Sequence, residues 1–130
     1  MKNIFRSMLL AAAAALLLAS AGVPSGATAQ VARPSAFDGN WSVVIYTLRG
    51  DCTQSVRAAL RIAGGRVYAL DQSFQAYGAV GPSGAIRVTV AAGNQSASGT
   101  GRLSQTTGRG LWRTATGECS GQWAAERRNW

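Results

Sequence analysis

Five carboxylates, two cysteines and a surplus of arginine carry the readiest chemistry in this sequence, which contains no histidine. That absence removes the commonest general base and metal ligand, and with it every histidine-dependent triad. The chain's lysine, Lys2, lies in its first residues, so the rest has no amine for Schiff-base or Ser-Lys chemistry. The acids are Asp38, Asp51, Asp71, Glu118 and Glu126. A glycosidase needs two of them facing one another across roughly 5 to 10 Å. Four of the five fall at expected turns or strand ends, where such side chains cap or solvate. A calcium site from so few scattered acids is equally poorly supported. The sequence therefore reads as non-catalytic, with no metal and no cofactor.

Cys52 and Cys119 suggest a single structural disulfide. A zinc site built from cysteine alone needs four, and a redox role favours a CxxC pair, which is missing. Closing so long a loop contributes roughly 4 kcal/mol in the chain-entropy description.

Arginine is the strongest functional signal. Arg57, Arg61, Arg87, Arg102, Arg109 and Arg113 fall largely on polar strand faces or beside glycines, and Arg109 and Arg113 flank Trp112. Guanidinium groups interleaved with an aromatic suit phosphate, sulfate or uronate groups. The expected ligand-binding set is Arg87, Arg102, Arg109, Trp112 and Arg113. The same charge also serves plain solubility in a small domain.

These residues must be carried by a short, exported chain. Residues 1–29 read as a cleaved secretory signal, with Lys2 and Arg6 as the basic region, Met8 to Ala19 as the apolar run and Ala27-Thr28-Ala29 before the cut; a cut after Ala21 is the alternative. The apolar run is shorter than the roughly 20 residues that cross a bilayer. Of the 13 basic residues, Lys2 and Arg6 leave with the signal, so residues 30–130 keep 11 arginines against five acids, a net charge of +6. The expected location is periplasmic or secreted, with no transmembrane segment after cleavage and no cytosolic nucleic acid as partner.

Residues 30–130 form one β-domain on pattern. Val56, Ala58, Leu60 and Ile62 alternate with Ser55, Arg57, Ala59 and Arg61, and Ile86, Val88 and Val90 alternate with Arg87 and Thr89. The segment Trp41 to Leu48 is apolar on both faces and reads as central or covered on both sides. Turn signals at Gly50-Asp51, Gly64-Gly65, Gly81 to Gly84, Gly93-Asn94, Thr107-Gly108 and Thr116-Gly117 divide the chain into about eight strands. These lie near 40–48, 53–63, 66–71, 74–80, 85–92, 95–104, 109–115 and 119–127. The expected fold is all-β: a small antiparallel meander forming a closed or flattened barrel with one disulfide.

Gly-x-Trp occurs at Gly39 to Trp41, Gly110 to Trp112 and Gly121 to Trp123. Positions i and i+2 share a strand face, so each glycine leaves space beside an indole. Trp41 and Trp123 read as core; whether Trp112 faces in or out stays open. Trp130 ends the chain like the terminal aromatic of an outer-membrane barrel, but Ala124, Glu126 and Arg128 do not make a lipid-facing stripe.

Phe37-Asp38-Gly39-Asn40-Trp41-Ser42-Val43, Gly99-Thr100-Gly101-Arg102-Leu103-Ser104 and Cys119-Ser120-Gly121-Gln122-Trp123 together resemble small exported proteobacterial β-domain proteins of unknown function. More distantly, Gly39 and Trp41 resemble the opening of the calycin barrels, lipocalins among them. That likeness implies an end plugged by Trp41 and covered by Arg127 or Arg128. The exported metalloprotease-inhibitor barrels, with eight strands and one disulfide, are similar in length and opening.

Three functions follow as expectations. The first is an exported binding module whose arginines contact anionic polymers, with anionic polysaccharide or lipopolysaccharide as candidate partner. The second is a small inhibitor or interaction domain with a protein partner. The third is a calycin-like carrier of a small ligand, ranked last because many Ala and Gly positions suggest a narrow interior filled by side chains.

Overall fold

The computed structural model describes residues 35–130. The expected signal over 1–29 and its cleavage site lie outside the described residues. Eight strands follow in order: β1 Gly39–Arg49, β2 Ser55–Ala63, β3 Arg66–Ala69, β4 Gln75–Val80, β5 Ala85–Ala92, β6 Gln95–Leu103, β7 Thr107–Thr114 and β8 Ser120–Arg128. Each pairs antiparallel with the next, and β8 returns to β1, so the meander closes into a barrel.

Closure sorts the side chains. Trp41 stands opposite Leu60 and Val43 opposite Ala58, while across the other edge Val43 meets Ala125 and Ile45 meets Trp123. These residues point inward, and the alternate residues, with most of the arginines, point out. In β1, β2, β5 and β6 the inward residues are more buried toward one end of the barrel than toward the other. Trp41, Ile62, Ile86 and Leu103 are buried at one end, whereas Val56, Ala92 and Thr53 are exposed at the other.

The buried end is closed by the residues that lead into β1. Trp41 is 1% exposed, and its indole N–H donates to Phe37 O at 2.9 Å. Arg127 lies over the indole, 5.1 Å from the ring centroid, and donates from Nη2 to Ala36 O at 2.7 Å. Phe37 packs over Gly84, where a Cβ would stand 3.3 Å from its ring. Asp38 ties this turn to the β2–β3 hairpin by accepting from the N–H groups of Gly64 at 2.8 Å and Gly65 at 3.1 Å, and from the Ser35 hydroxyl at 2.6 Å. Both glycines have positive φ, so the two amides turn toward one carboxylate.

At the other end the Cys52–Cys119 disulfide joins the β1–β2 loop to the residue before β8. No helix among the described residues is long and apolar enough to cross a membrane. The disulfide is compatible with an exported protein.

Two details differ from expectation. The outer face of β1 is open to solvent, with Tyr46 and Leu48 exposed, because a closed single-layer barrel has nothing outside it to cover that strand. Thr107-Gly108 is not a turn but the start of β7; the chain reverses over Ser104–Thr106, where Ser104 N–H donates to Thr107 O. Gly108 serves packing, since a Cβ there would meet Leu103 Cδ2 at 2.3 Å.

Burial raises the Asp38 carboxyl, but the hydrogen bonds from Ser35, Gly64 and Gly65 outweigh it and lower its pKa from 3.8 to about 2. A depressed folded-state value contributes stability above the unfolded-state pKa and loses it as pH falls through the folded one. Denaturant titrations should therefore show stability falling between about pH 4 and pH 2, and Asp38→Asn should flatten that fall while lowering stability at neutral pH.

Candidate functional site

The barrel's inward side chains do not fill it. They surround a cavity of about 440 Å³ that opens at the disulfide end. The expectation of a narrow interior filled by side chains is corrected here: Ala58, Ala97, Gly99 and Ala125 are inward positions too small to fill the width of eight strands.

Its walls are apolar, with Val43, Leu60, Ile86, Val88 and Val90 among them and Trp41 as the floor. The mouth is polar. Thr47, Thr53, Ser98 and Ser73 stand there with Arg57 and Asp71, and Cys52 holds the β1–β2 loop against the rim. Hydrogen bonds from the Ser73 backbone N–H, at 2.8 Å, and from its side chain hold the Asp71 carboxyl below its ordinary range.

Three indoles line the cavity, and glycines decide where they sit. The second and third Gly-x-Trp triplets are antiparallel partners, so Gly110 opposes Trp123 and Trp112 opposes Gly121. Trp123 occupies a recess bounded by Gly101 and Gly110 and donates to Thr100 O at 3.2 Å. Trp112 is half-buried, points inward and donates across Gly121 to Tyr46 O at 2.9 Å. Both indole N–H groups are satisfied by backbone carbonyls, leaving the rings as apolar wall.

Arg87, Arg102, Arg109 and Arg113 all point outward and are exposed. Arg102 and Arg109 are direct cross-strand partners, and Arg87 is diagonal to Arg102. Trp112, of opposite parity in β7, is on the other side of the sheet, so the structure does not bring it to the arginines. Among strands β3 to β7, the outward aromatics, on the arginine side, are Tyr68 and Tyr77, 48% and 55% exposed. Alternation from Arg66 would have placed Tyr68 there, and alternation from Gln75 would have placed Tyr77. Cys52 and Cys119 form the disulfide, and Trp41 and Trp123 are core.

Comparisons with protein-family models, curated proteins and solved structures find no match. The site must therefore be read from its own geometry. Asp38 is a clamp, Asp71 is held by Ser73, and Glu126 pairs with Arg128 at 3.6 Å. Among the described residues no group of three or more acids or cysteines could hold a metal. Of the cavity's walls, the sequence pattern had already turned Val56, Leu60, Ile86, Val88 and Val90 inward. Phe74, expected to open the strand near 74–80, stands just before β4 and lines the cavity with the parity of inward Ala76; no inward role was assigned to it from sequence.

The recess around Trp123 is tight. A Cβ on Gly110 would stand 1.9 Å from Thr100 O and 2.7 Å from Trp123 Cε2, and one on Gly101 would stand 2.3 Å from Arg109 O. Gly110→Ala and Gly101→Ala should each cost about 1–3 kcal/mol in equilibrium denaturation and alter the tryptophan emission. Gly99→Ala, whose Cβ meets nothing nearer than 3.4 Å, should cost less than either.

Proposed function

We propose that this protein is a carrier that holds a small, largely apolar molecule inside its barrel. The observation that supports this reading is the cavity itself: about 440 Å³, apolar along its walls, floored by Trp41 and open at a polar rim. That volume is within the roughly 300–1,000 Å³ of small-molecule sites, which combine apolar walls with a few polar groups. The ligand's apolar body lies among Val43, Leu60, Val88 and the indoles of Trp112 and Trp123. Its polar end faces the rim, where Thr47, Thr53 and Ser73 offer hydrogen bonds. Burial of the apolar body drives binding, and the disulfide holds the mouth in shape.

A second reading concerns the outside. Strands β3 to β7 carry five outward arginines, Arg66, Arg87, Arg102, Arg109 and Arg113, and no Asp or Glu. Cations placed directly opposite one another, as Arg102 and Arg109 are, oppose folding. An anionic polymer would relieve that repulsion, which supports the arginine face as a polyanion surface.

A fluorescent apolar probe should bind the oxidised protein, quench its tryptophans and be displaced by competing apolar ligands. Val88→Trp, which fills the middle of the cavity, should abolish that binding while far-UV circular dichroism stays unchanged. Probe binding equal to wild type would exclude the interior as the site. On the outer face, Arg109→Glu should raise stability by about 0.2–1 kcal/mol, by replacing a like-charge pair with an opposite one, and should lower the salt needed to elute the protein from heparin.

A further inference from the structure

The barrel wall has one weak seam. Seven of its eight strand pairs run over four or more register positions, but β3 and β4 pair only through Arg66 with Ala79 and Val67 with Gly78. Strand β3 is four residues long, and past its end Leu70 N–H still bonds to Ala59 O of β2. Strand β4 lies close against β5, since a Cβ on Gly78 would stand 2.2 Å from Arg87 O. Each strand thus stays with its outer neighbour, and the two part from one another toward the barrel mouth.

The parting leaves a groove of about 520 Å³ bordered by Arg66, Tyr68, Asp71, Phe74, Gln75 and Tyr77. Tyr68 borders it on one side and Tyr77 on the other, both half-exposed. The Tyr77 hydroxyl donates to Gln75 Oε1, which positions that ring. Cations flank the aromatics: Arg61 is directly opposite Tyr68, Arg66 precedes it on the same face, and Arg87 is diagonal to Tyr77.

We propose that this groove is a binding site for an acidic saccharide, with Tyr68 and Tyr77 packing on the faces of its sugar rings and Arg66 and Arg87 receiving its carboxylate or sulfate groups. The proposal rests on the second reading of the arginine face and names its ligand class. A pyranose presents flat C–H faces that pack on tyrosine, whose apolar ring and polar tip suit a half-wet site. Its hydroxyls find an acceptor in Asp71 and an amide in Gln75, and guanidinium forks match carboxylate or sulfate. A concave seat for individual rings fits a sugar chain better than a flat membrane. The disulfide, compatible with an oxidising compartment, favours a polysaccharide over a nucleic acid.

The test is calorimetric titration of the full oxidised protein with an oligogalacturonate of defined length at physiological salt. A neutral maltooligosaccharide and a single-stranded oligonucleotide serve as comparisons. The Tyr68→Ala, Tyr77→Ala double variant should weaken oligogalacturonate binding by at least about tenfold, the factor that 1.4 kcal/mol represents. Arg66→Gln should erase the preference for the acidic over the neutral sugar, and Arg128→Gln, of equal charge change but paired with Glu126, should do neither. Arg66→Gln keeps the test readable if the tyrosine variant fails to fold, because Arg66 is exposed and outside the core. Tighter binding of the oligonucleotide, equal losses in all arginine variants, or wild-type affinity in the tyrosine variant would each overturn the site. If the tyrosine variant still elutes from heparin like wild type but has kept its oligogalacturonate affinity, the arginine face stands and the groove falls. If wild type itself elutes with a control protein of equal charge and does not bind the sugar, both fall.

Discussion

Strand β1 is hydrogen-bonded along both edges, to β2 and to β8, and that closure is the constraint on which the remaining structure depends. Backbone N–H and C=O groups that would form two free edges are paired instead, so each strand has only an inside and an outside. Inside, the alternate residues must share a space whose width is set by eight strands rather than by side-chain volume. The cavity follows from this mismatch. Small residues at Ala58, Ala97, Gly99 and Ala125 cannot reach across the barrel, and the larger side chains crowd toward the Trp41 end.

That end is sealed by groups of unlike kind acting together. Trp41 supplies apolar bulk, Arg127 a cation over the ring, and Asp38 a carboxylate that gathers two amides of the β2–β3 hairpin. The short turn before β1 is thereby fastened to β2, β3 and β8, the neighbours of the closure itself. The opposite end is fastened by the disulfide and by hydrogen bonds such as Trp112 to Tyr46 O and Thr47 to Thr53 O, around an opening with a polar rim. One end is closed by packed and hydrogen-bonded groups, and the other is open.

The outer surface obeys electrostatics rather than packing. Three of the five acids are engaged at the edges: Asp38 in the clamp, Asp71 on Ser73, Glu126 on Arg128. Strands β3 to β7 present five arginines and no Asp or Glu, and the one place where their ladder parts is bordered by two tyrosines. Interior and exterior thus offer two different solvents for a ligand. On the proposed readings, the apolar cavity would select by size and hydrophobicity, and the charged face by charge and ring shape.

Period-two alternation carried most of the fold, because a residue's side of a sheet is a local property. It turned Val56, Leu60, Ile86 and Val88 inward and Arg57, Arg61 and Arg87 outward, and glycine at the turns separated eight strands to within a few residues. The exceptions have local causes that sequence does not display. Gly108 resembles a turn glycine but is small to admit Leu103, and the apolar outer face of β1 stays exposed because no second layer exists. The candidate sites were less legible. Trp112 and Arg109 are three residues apart, yet odd separation along a strand sets them on opposite sides of the wall. The cavity depends on strand number and closure, and the groove on where one ladder stops. The sequence by itself determined the strands, their faces, the charge and the disulfide partners, since each depends on residue type and spacing. Only the tertiary structure decided that an interior space remains and that Tyr68 and Tyr77 meet across a gap, because both arise from pairing between segments distant in the chain.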